Sequence, residues 1–356
     1  MPEPNCTRVH KAGVRLSIFL LVMAGGCVTG TPQDGRQADD LPEGFLRSGD
    51  TIRYHDVVLE GVDAAGFRVL DGPFCTDGRR VFHFTSYREG RNYFLTKKHL
   101  VQELIGVHPA SFTVLGEDYA KDSAQAWRRN EAFPVADIRS LKALNAWFLK
   151  DDAQAYLNGV SVPGSHGRSF ELIDMAYASD STGYYYIHDS GDDMTIARIP
   201  CEAASFRIID HIYASDREHV FHRGTIIADA RPAAFVVLGS SYARDDRSVF
   251  FQERRIPGAD PGSFTLFNDN ERSRGDVYYA QDKDHIYVND APFTGVDRTS
   301  FRILDEKYTV DKHAVYYRMK RMPQADPVTF KVFPHYMGDA DAEDKDRRYG
   351  DGKVVE

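Results

Sequence analysis

The residues whose type and spacing could do chemistry are aspartates. One recurs at Asp77, Asp122, Asp151, Asp180, Asp216, Asp245, Asp282 and Asp311. Repeated carboxylates could bind calcium, but that ion wants six to eight converging oxygens, usually from several acids within a dozen positions. The close groups here are only pairs, Asp282/Asp284 and Asp192/Asp193, and the Gly-rich nonapeptide of calcium-binding β-helices is missing. The eight aspartates are therefore read as turn formers, each side chain accepting nearby backbone N–H groups. Thirteen histidines are scattered, with no H-E-x-x-H and no Cys/His pairing at metal spacing, so neither metal nor cofactor is expected. Neither G-x-S-x-G nor G-x-x-x-x-G-K occurs, which leaves no nucleophile elbow and no phosphate cradle. The 53 acidic residues could supply a glycosidase pair, yet no spacing singles two of them out. Tyr184-Tyr185-Tyr186 could stack on sugars, although rings in strands more commonly pack across the sheet. No catalytic residue is assigned.

The elements that position these aspartates come from a repeat. Asp282-Lys283, Ile286-Tyr287, Asp297 and Ser300-Phe301 return 29 positions later as Asp311-Lys312, Val315-Tyr316, Asp326 and Thr329-Phe330. Three places before each Asp stands an aromatic, from Phe74 and Tyr119 to Tyr308. Five places after stands another: Phe82, Trp127, Tyr156, Tyr185, Phe221, Phe250, Tyr287, Tyr316. A third column closes the unit at Phe67, Phe112, Leu141, Phe170, Phe206, Phe235, Phe264, Phe301 and Phe330. Ser48 opens a degenerate first copy.

Phe301-Arg302-Ile303-Leu304 alternates with period two and predicts a half-buried strand; the segments before and after each Asp predict two more. Asp260-Pro261 and Asp326-Pro327 supply the N-cap and first position of a single helical turn. Each unit thus reads as a short β-meander with one helical turn, too small to bury its rings alone. The expected fold is all-β: tandem repeats of about 29 residues over 45–356 in an elongated or curved array, with a β-propeller-like ring as the alternative.

The bulk composition agrees with a folded chain. Hydrophobic residues make up 42% and charged residues 27% of 356, with 19 Tyr and 22 Phe. A net charge of −9 argues against nucleic acid as partner, because phosphate binding draws on clustered Lys and Arg.

At the N-terminus, Arg8, Lys11 and Arg15 precede the apolar run 16–24, which is too short to span a bilayer stably. Ala24, Gly25 and Gly26 then lead to Cys27. Residues 1–26 are expected to be a signal peptide. The order resembles the lipobox of bacterial lipoproteins, which implies a lipid on Cys27, with Ala24 where Leu is usual; an ordinary secretory signal is the alternative. Residues 27–44 follow as the lipidated Cys and a flexible polar tether.

Two insertions break the repeat rhythm. Residues 84–105 carry a basic, aromatic run with Tyr87, Arg88, Arg91, Tyr93, Lys97 and Lys98; residues 187–199 read as a hairpin with Asp192 and Asp193 at its tip. Loops added to a regular scaffold often carry binding.

Asp282-Lys283-Asp284-His285-Ile286-Tyr287 and Asp311-Lys312-His313-Ala314-Val315-Tyr316-Tyr317 resemble the motif of the DKNYY family of bacterial envelope proteins. The resemblance covers most of residues 48–333 and implies a tandem-repeat lipoprotein or secreted protein, facing the periplasm or the cell exterior, without transferring a catalytic residue. The expected function is a non-catalytic envelope binding or scaffold module, attached to the membrane through its lipid, with an envelope protein or a glycan as ligand. A carbohydrate-active hydrolase on a propeller-like ring is the competing reading.

Overall fold

The computed structural model describes residues 41–88, 97–191, 193–267, 277–337 and 339–355. The expected signal peptide, Cys27, Arg91, Tyr93 and Asp192 lie outside them. The described residues form short antiparallel strands in ten separate sheets: one of three strands (Phe45–Ser48, Thr51–Tyr54, Val57–Leu59), then nine of four strands each. Every sheet is a meander whose strands pair in chain order. Leu41, the first described residue, packs against the core cluster that contains Phe45 and Tyr54.

One copy shows the plan. Arg302–Ile303, Tyr308–Val310, Val315–Tyr317 and Lys320–Met322 pair in that order. The first of these follows the closing Phe301, the second ends just before Asp311, and the third begins four residues after it. The fourth strand was not anticipated. It forms because a two-residue turn, Arg318-Met319, folds the chain back with both residues at positive φ, 45° and 66°, which matches the twist of a tight hairpin. Arg129, Asn158, Arg223, Gln252 and Asn289 sit at positive φ in the same turn of other copies.

The array continues one copy beyond the unit that Asp311 opens. Lys331–Met337, Ala340–Glu343, Arg348–Gly350 and Lys353–Val354 form a ninth four-stranded sheet, whose turn is opened by Asp344. Asp344-Lys345 and Tyr349, five places on, were its signal.

The core is continuous because the closing ring of one copy sits between two copies. Phe330 lies 5.3 Å from Tyr308 in its own unit and 5.4 Å from Tyr349 in the next. Phe264 does the same between Tyr242 and Tyr287, at 5.4 Å from each. Where the column holds Leu141, Phe133 supplies the ring, at 6.1 Å from Tyr119 and 6.2 Å from Tyr156. Tilted and edge-on pairs at these separations add attraction beyond the apolar area they bury. The nine core clusters of described residues run along the chain, each joining neighbouring copies, and none joins the first sheet to the last. This is a repeat array rather than a closed barrel.

Two sets of hydrogen bonds tie the copies together. Tyr119, Tyr213 and Tyr242 donate their hydroxyls to the carbonyls of Trp147, Ser241 and Tyr278, each the residue just before the equivalent aromatic of the next copy. Lys121 Nζ donates to the carbonyls of Ile138, Arg139 and Leu141, and Lys150 Nζ to those of Arg168 and Phe170. A cation one place before the Asp thereby closes the end of the next helical turn, whose last carbonyls lack partners of their own.

Candidate functional site

Asp311 accepts the N–H groups of His313 and Ala314 at 2.7 and 2.8 Å on Oδ1. Its Oδ2 accepts the N–H of Asp297 at 2.7 Å and the hydroxyl of Tyr316 at 2.9 Å. The same carboxylate therefore shapes its own turn and holds the start of the preceding helical turn. Asp77, Asp122, Asp151, Asp180, Asp216, Asp245, Asp282 and Asp344 repeat the turn bonds and the reach back.

A Ser or Thr just before the closing ring caps the one turn N–H that the Asp cannot reach: Ser300 Oγ accepts from Lys312 N, and Thr329 Oγ1 from Lys345 N. All but Asp180 are buried. Burial pushes the Asp282 and Asp311 carboxyls up, yet the hydrogen bonds they accept outweigh it and hold both below the usual carboxylate range. Burial and the bond to Asp311 raise Tyr316 to about 12. With both oxygens occupied, these groups are structural. Among the described residues no cluster of three or more His, Cys, Asp or Glu is placed to hold a metal ion.

The tyrosine run is likewise spent on packing. Tyr185 and Tyr186 are buried, with hydroxyls on Asp180 Oδ2 and the His211 carbonyl, while Tyr184 stacks on Phe206 at 4.2 Å.

The first insertion is a long hairpin, Val81–Arg88 paired with Lys97–Glu103, which leans on the first sheet. Phe84 meets Phe45 and Tyr54, each at 4.9 Å. Tyr54 and Ser86 share a hydrogen bond of 2.9 Å, and Ser86 Oγ lies 2.7 Å from His99 Nδ1. A hydroxyl beside an imidazole is half of a nucleophilic dyad. Here the His99 ring is stacked on His55 at 3.8 Å and meets the edge of Tyr54, with no carboxylate behind it among the described residues. The arrangement fastens the hairpin. Tyr87, Arg88, Lys97 and Lys98 are exposed beyond that contact.

The second insertion builds a cavity of its own, one of several among the described residues. Its strands Gly183–Asp189 and Met194–Arg198 run past the rest of their sheet, pairing Ile187 with Ile196 and Asp189 with Met194. At the tip Asp193 faces Ser190, whose N–H donates to its carbonyl at 3.0 Å. Under the hairpin lies a cleft of about 460 Å³ with Leu144, Trp147, Ile173, Met175 and Met194 along its walls. A shallower polar extension of about 270 Å³ continues past Trp147, Asp189 and Met194 to Arg128, Asn158 and Asp193. Three consecutive copies contribute to this groove.

Trp147 stands at its centre with 46% of its surface exposed, and the backbone beneath it is fixed from both sides. Asn145 Oδ1 accepts the N–H groups of Trp147 and Phe148 at 2.9 and 2.8 Å. The Trp147 carbonyl accepts from Asn158 N at 2.8 Å and from the Tyr119 hydroxyl at 3.2 Å. Arg128 Nε and Asn158 Oδ1, at the polar end, are buried without a hydrogen-bond partner in the protein. Three carboxylates line the groove: Asp174 accepts two turn N–H groups, Asp189 accepts Gly191 N, and Asp193 stands at the polar end. Asp193 was anticipated here. Trp147 was not, although position alone marked it: four places before the Asp, other copies carry Pro73, Asp118, Ala176, Ile212, Ser241, Tyr278 and Lys307. Nothing in the repeat requires a tryptophan there.

The nine Asp turns and their aromatic partners also settle the family. A sequence model described as the DKNYY family matches residues 45–189, 119–254 and 238–353. The chain belongs to the DKNYY family. The three overlapping matches span nearly all of the folded DKNYY array, including the ninth copy. No curated protein and no solved structure matches the chain.

Proposed function

We propose that this DKNYY protein is a non-catalytic binding module of the bacterial cell envelope, anchored by lipid on Cys27, that takes its ligand in the groove beside Trp147. The observation that carries the reading is an exposed indole on a fixed backbone, at a position the repeat leaves free. Exposing a large ring costs solvation, and a rigid aromatic placed in a cleft gains contact area at small entropic cost when a ligand arrives. The order of residues 8–27 supports secretion and lipidation: basic residues, an apolar run, small residues, then Cys. An envelope protein or a glycan fits such a groove.

The hydrolase reading asks for a free acid and base facing each other across a bond. Asp174 and Asp189 are instead committed to backbone N–H groups, which leaves Asp193 as one carboxylate rather than a facing pair. Asp305, a carboxyl that burial drives upward, does not line the groove.

The test exploits the tryptophans, of which the chain has two. Trp127 is buried, so a ligand-induced change in emission reports Trp147. Peptidoglycan, soluble glycan and protein fractions of envelope extract are titrated separately. A saturable change with one fraction, lost in Trp147→Phe along with capture of that fraction, supports the reading. Capture undiminished by Trp147→Ala moves the site elsewhere.

A further inference from the structure

Building on the binding function proposed above, we infer that the groove holds the C-terminal residue of a polypeptide, its apolar side chain in the cleft and its carboxylate on Arg128. The cleft offers an incoming group little that is polar. Leu144, Trp147, Ile173, Met175, Ile187 and Met194 stand along its walls, with Ile173 44% and Met175 86% exposed. Apolar surface left open in this way marks a site of interaction. The polar lining is Asn145, Asp174 and Asp189, and Oδ1 of each is taken by backbone N–H groups of its own turn. The two acids keep one oxygen each, on exposed side chains, too few to satisfy the hydroxyls of a sugar ring. A leucine or phenylalanine side chain has no such groups to satisfy, and two methionines can adapt to its shape.

The unmet polar groups lie together in the extension past Trp147. There Arg128 Nε, a donor, and Asn158 Oδ1, an acceptor, are buried without a partner in the protein. Arg128 takes part in no ion pair among the described residues, although Asp189 and Asp193 line the same space. A group that fills this end has to accept from a guanidinium and donate to an amide oxygen at once. The last residue of a polypeptide does both: its carboxylate accepts from Arg128 and its N–H donates to Asn158. A fatty acid brings the carboxylate without the N–H, and a neutral glycan brings no anion. The side chain of that last residue, carried on the same Cα, enters the cleft that Trp147 shares with the extension. Asp189 and Asp193, exposed on the hairpin, add negative charge beside it and favour a basic residue just upstream.

The probes are acetyl-Ala-Lys-Ala-Phe with a free carboxylate, the same peptide as its C-terminal amide, N-acetylphenylalanine and soluble peptidoglycan fragments. Each is titrated into the purified chain with Trp147 emission as the readout, and the acid peptide is also titrated by calorimetry into Trp147→Phe. The acid should bind at least about tenfold more tightly than the amide, the ratio a charge-assisted pair supplies. Arg128→Gln should bring that ratio close to one. An unchanged urea midpoint shows that this variant folds; if the midpoint falls, the ratio in the parent chain decides alone. Equal affinity for acid and amide overturns the proposal, as does N-acetylphenylalanine bound as tightly as the tetrapeptide, which would make the ligand a free acylated amino acid. No response to the acid peptide overturns it too; if the glycan fragments respond instead, the groove beside Trp147 remains the binding site. Undiminished affinity of the acid peptide for Trp147→Phe overturns both.

Discussion

Replacing Asp311 by alanine removes four acceptor contacts at once from a residue only 3% exposed. The N–H groups of His313, Ala314 and Asp297 and the hydroxyl of Tyr316 all lose their partner. Each buried donor left unsatisfied costs about 1–3 kcal/mol, and water entering the vacated space returns part of that. The bonds from Ala314 N and the Tyr316 hydroxyl are buried and the other two only partly so; with those two donors rehydrated, the net loss should be about 2–6 kcal/mol. With a urea slope near 3 kcal/mol per molar, the midpoint falls by about 0.7–2 M. Asp311→Asn keeps one carbonyl oxygen for the His313 and Ala314 turn but opposes an amide N–H₂ to Asp297 N, so its loss should be intermediate. Asp284→Ala, exposed in the equivalent turn of the previous copy, should change stability by less than about 0.5 kcal/mol. Urea unfolding followed by tyrosine fluorescence and circular dichroism measures all three. The reasoning is refuted if Asp311→Ala and Asp284→Ala move the midpoint equally. A lower slope in Asp311→Ala, with the midpoint retained, would mean that single copies unfold on their own.

Stability should also fall in acid. Asp77, Asp151, Asp216, Asp282, Asp311 and Asp344 are held below the usual carboxylate value of 3.8, so the unfolded chain binds more protons; their contribution is complete above that value and is lost as pH drops through the lower folded values. A midpoint flat from pH 5 down to pH 2 would contradict it. Phe301→Ala and Tyr287→Ala each truncate a ring shared between copies and should cost about 3–5 kcal/mol in the same urea assay; losses as small as that of Asp284→Ala would deny the columns a shared core. Cys75 and Cys201 are free, and burial lifts Cys75 to about 12, so disulfide-exchange reagent should leave Cys75 unlabelled in the native chain and titrate both after unfolding; a 75–201 crosslinked peptide by mass spectrometry would contradict the stacking of copies. Gly167 is packed so that an added Cβ would fall 2.1 Å from the Asp151 carbonyl, and Gly167→Ala should therefore lower the thermal midpoint by several degrees; an unchanged midpoint would mean that the helical turn shifts freely.

The repeat was legible because it lies in the chain as spacing. Aromatics three before and five after an Asp have to alternate faces about a tight turn, and no tertiary information is needed to see that such a unit is β and incomplete alone. The same logic, carried one step further, contained the ninth copy at Asp344 and Tyr349. The fourth strand of each sheet was hidden, because two residues such as Val160-Ser161 leave no periodicity to read and owe their pairing to the turn before them.

What closes the array was equally silent in sequence. That Phe330 lies between Tyr308 and Tyr349, and that Lys121 reaches the end of the next helical turn, are contacts between copies, fixed by how the sheets stack. Both insertions stood out in the chain, but their consequences did not. The groove needs Arg128 and Asn158 from one side and Ile173, Met175 and Asp189 from the other, residues up to 61 positions apart that no local pattern connects. Sequence spacing determined the unit and the role of its carboxylates as turn formers; the placing of Trp147 in a cleft, and of a basic hairpin beside the start of the fold, depended on stacking, because each is made by side chains from neighbouring copies that meet only once the array has formed.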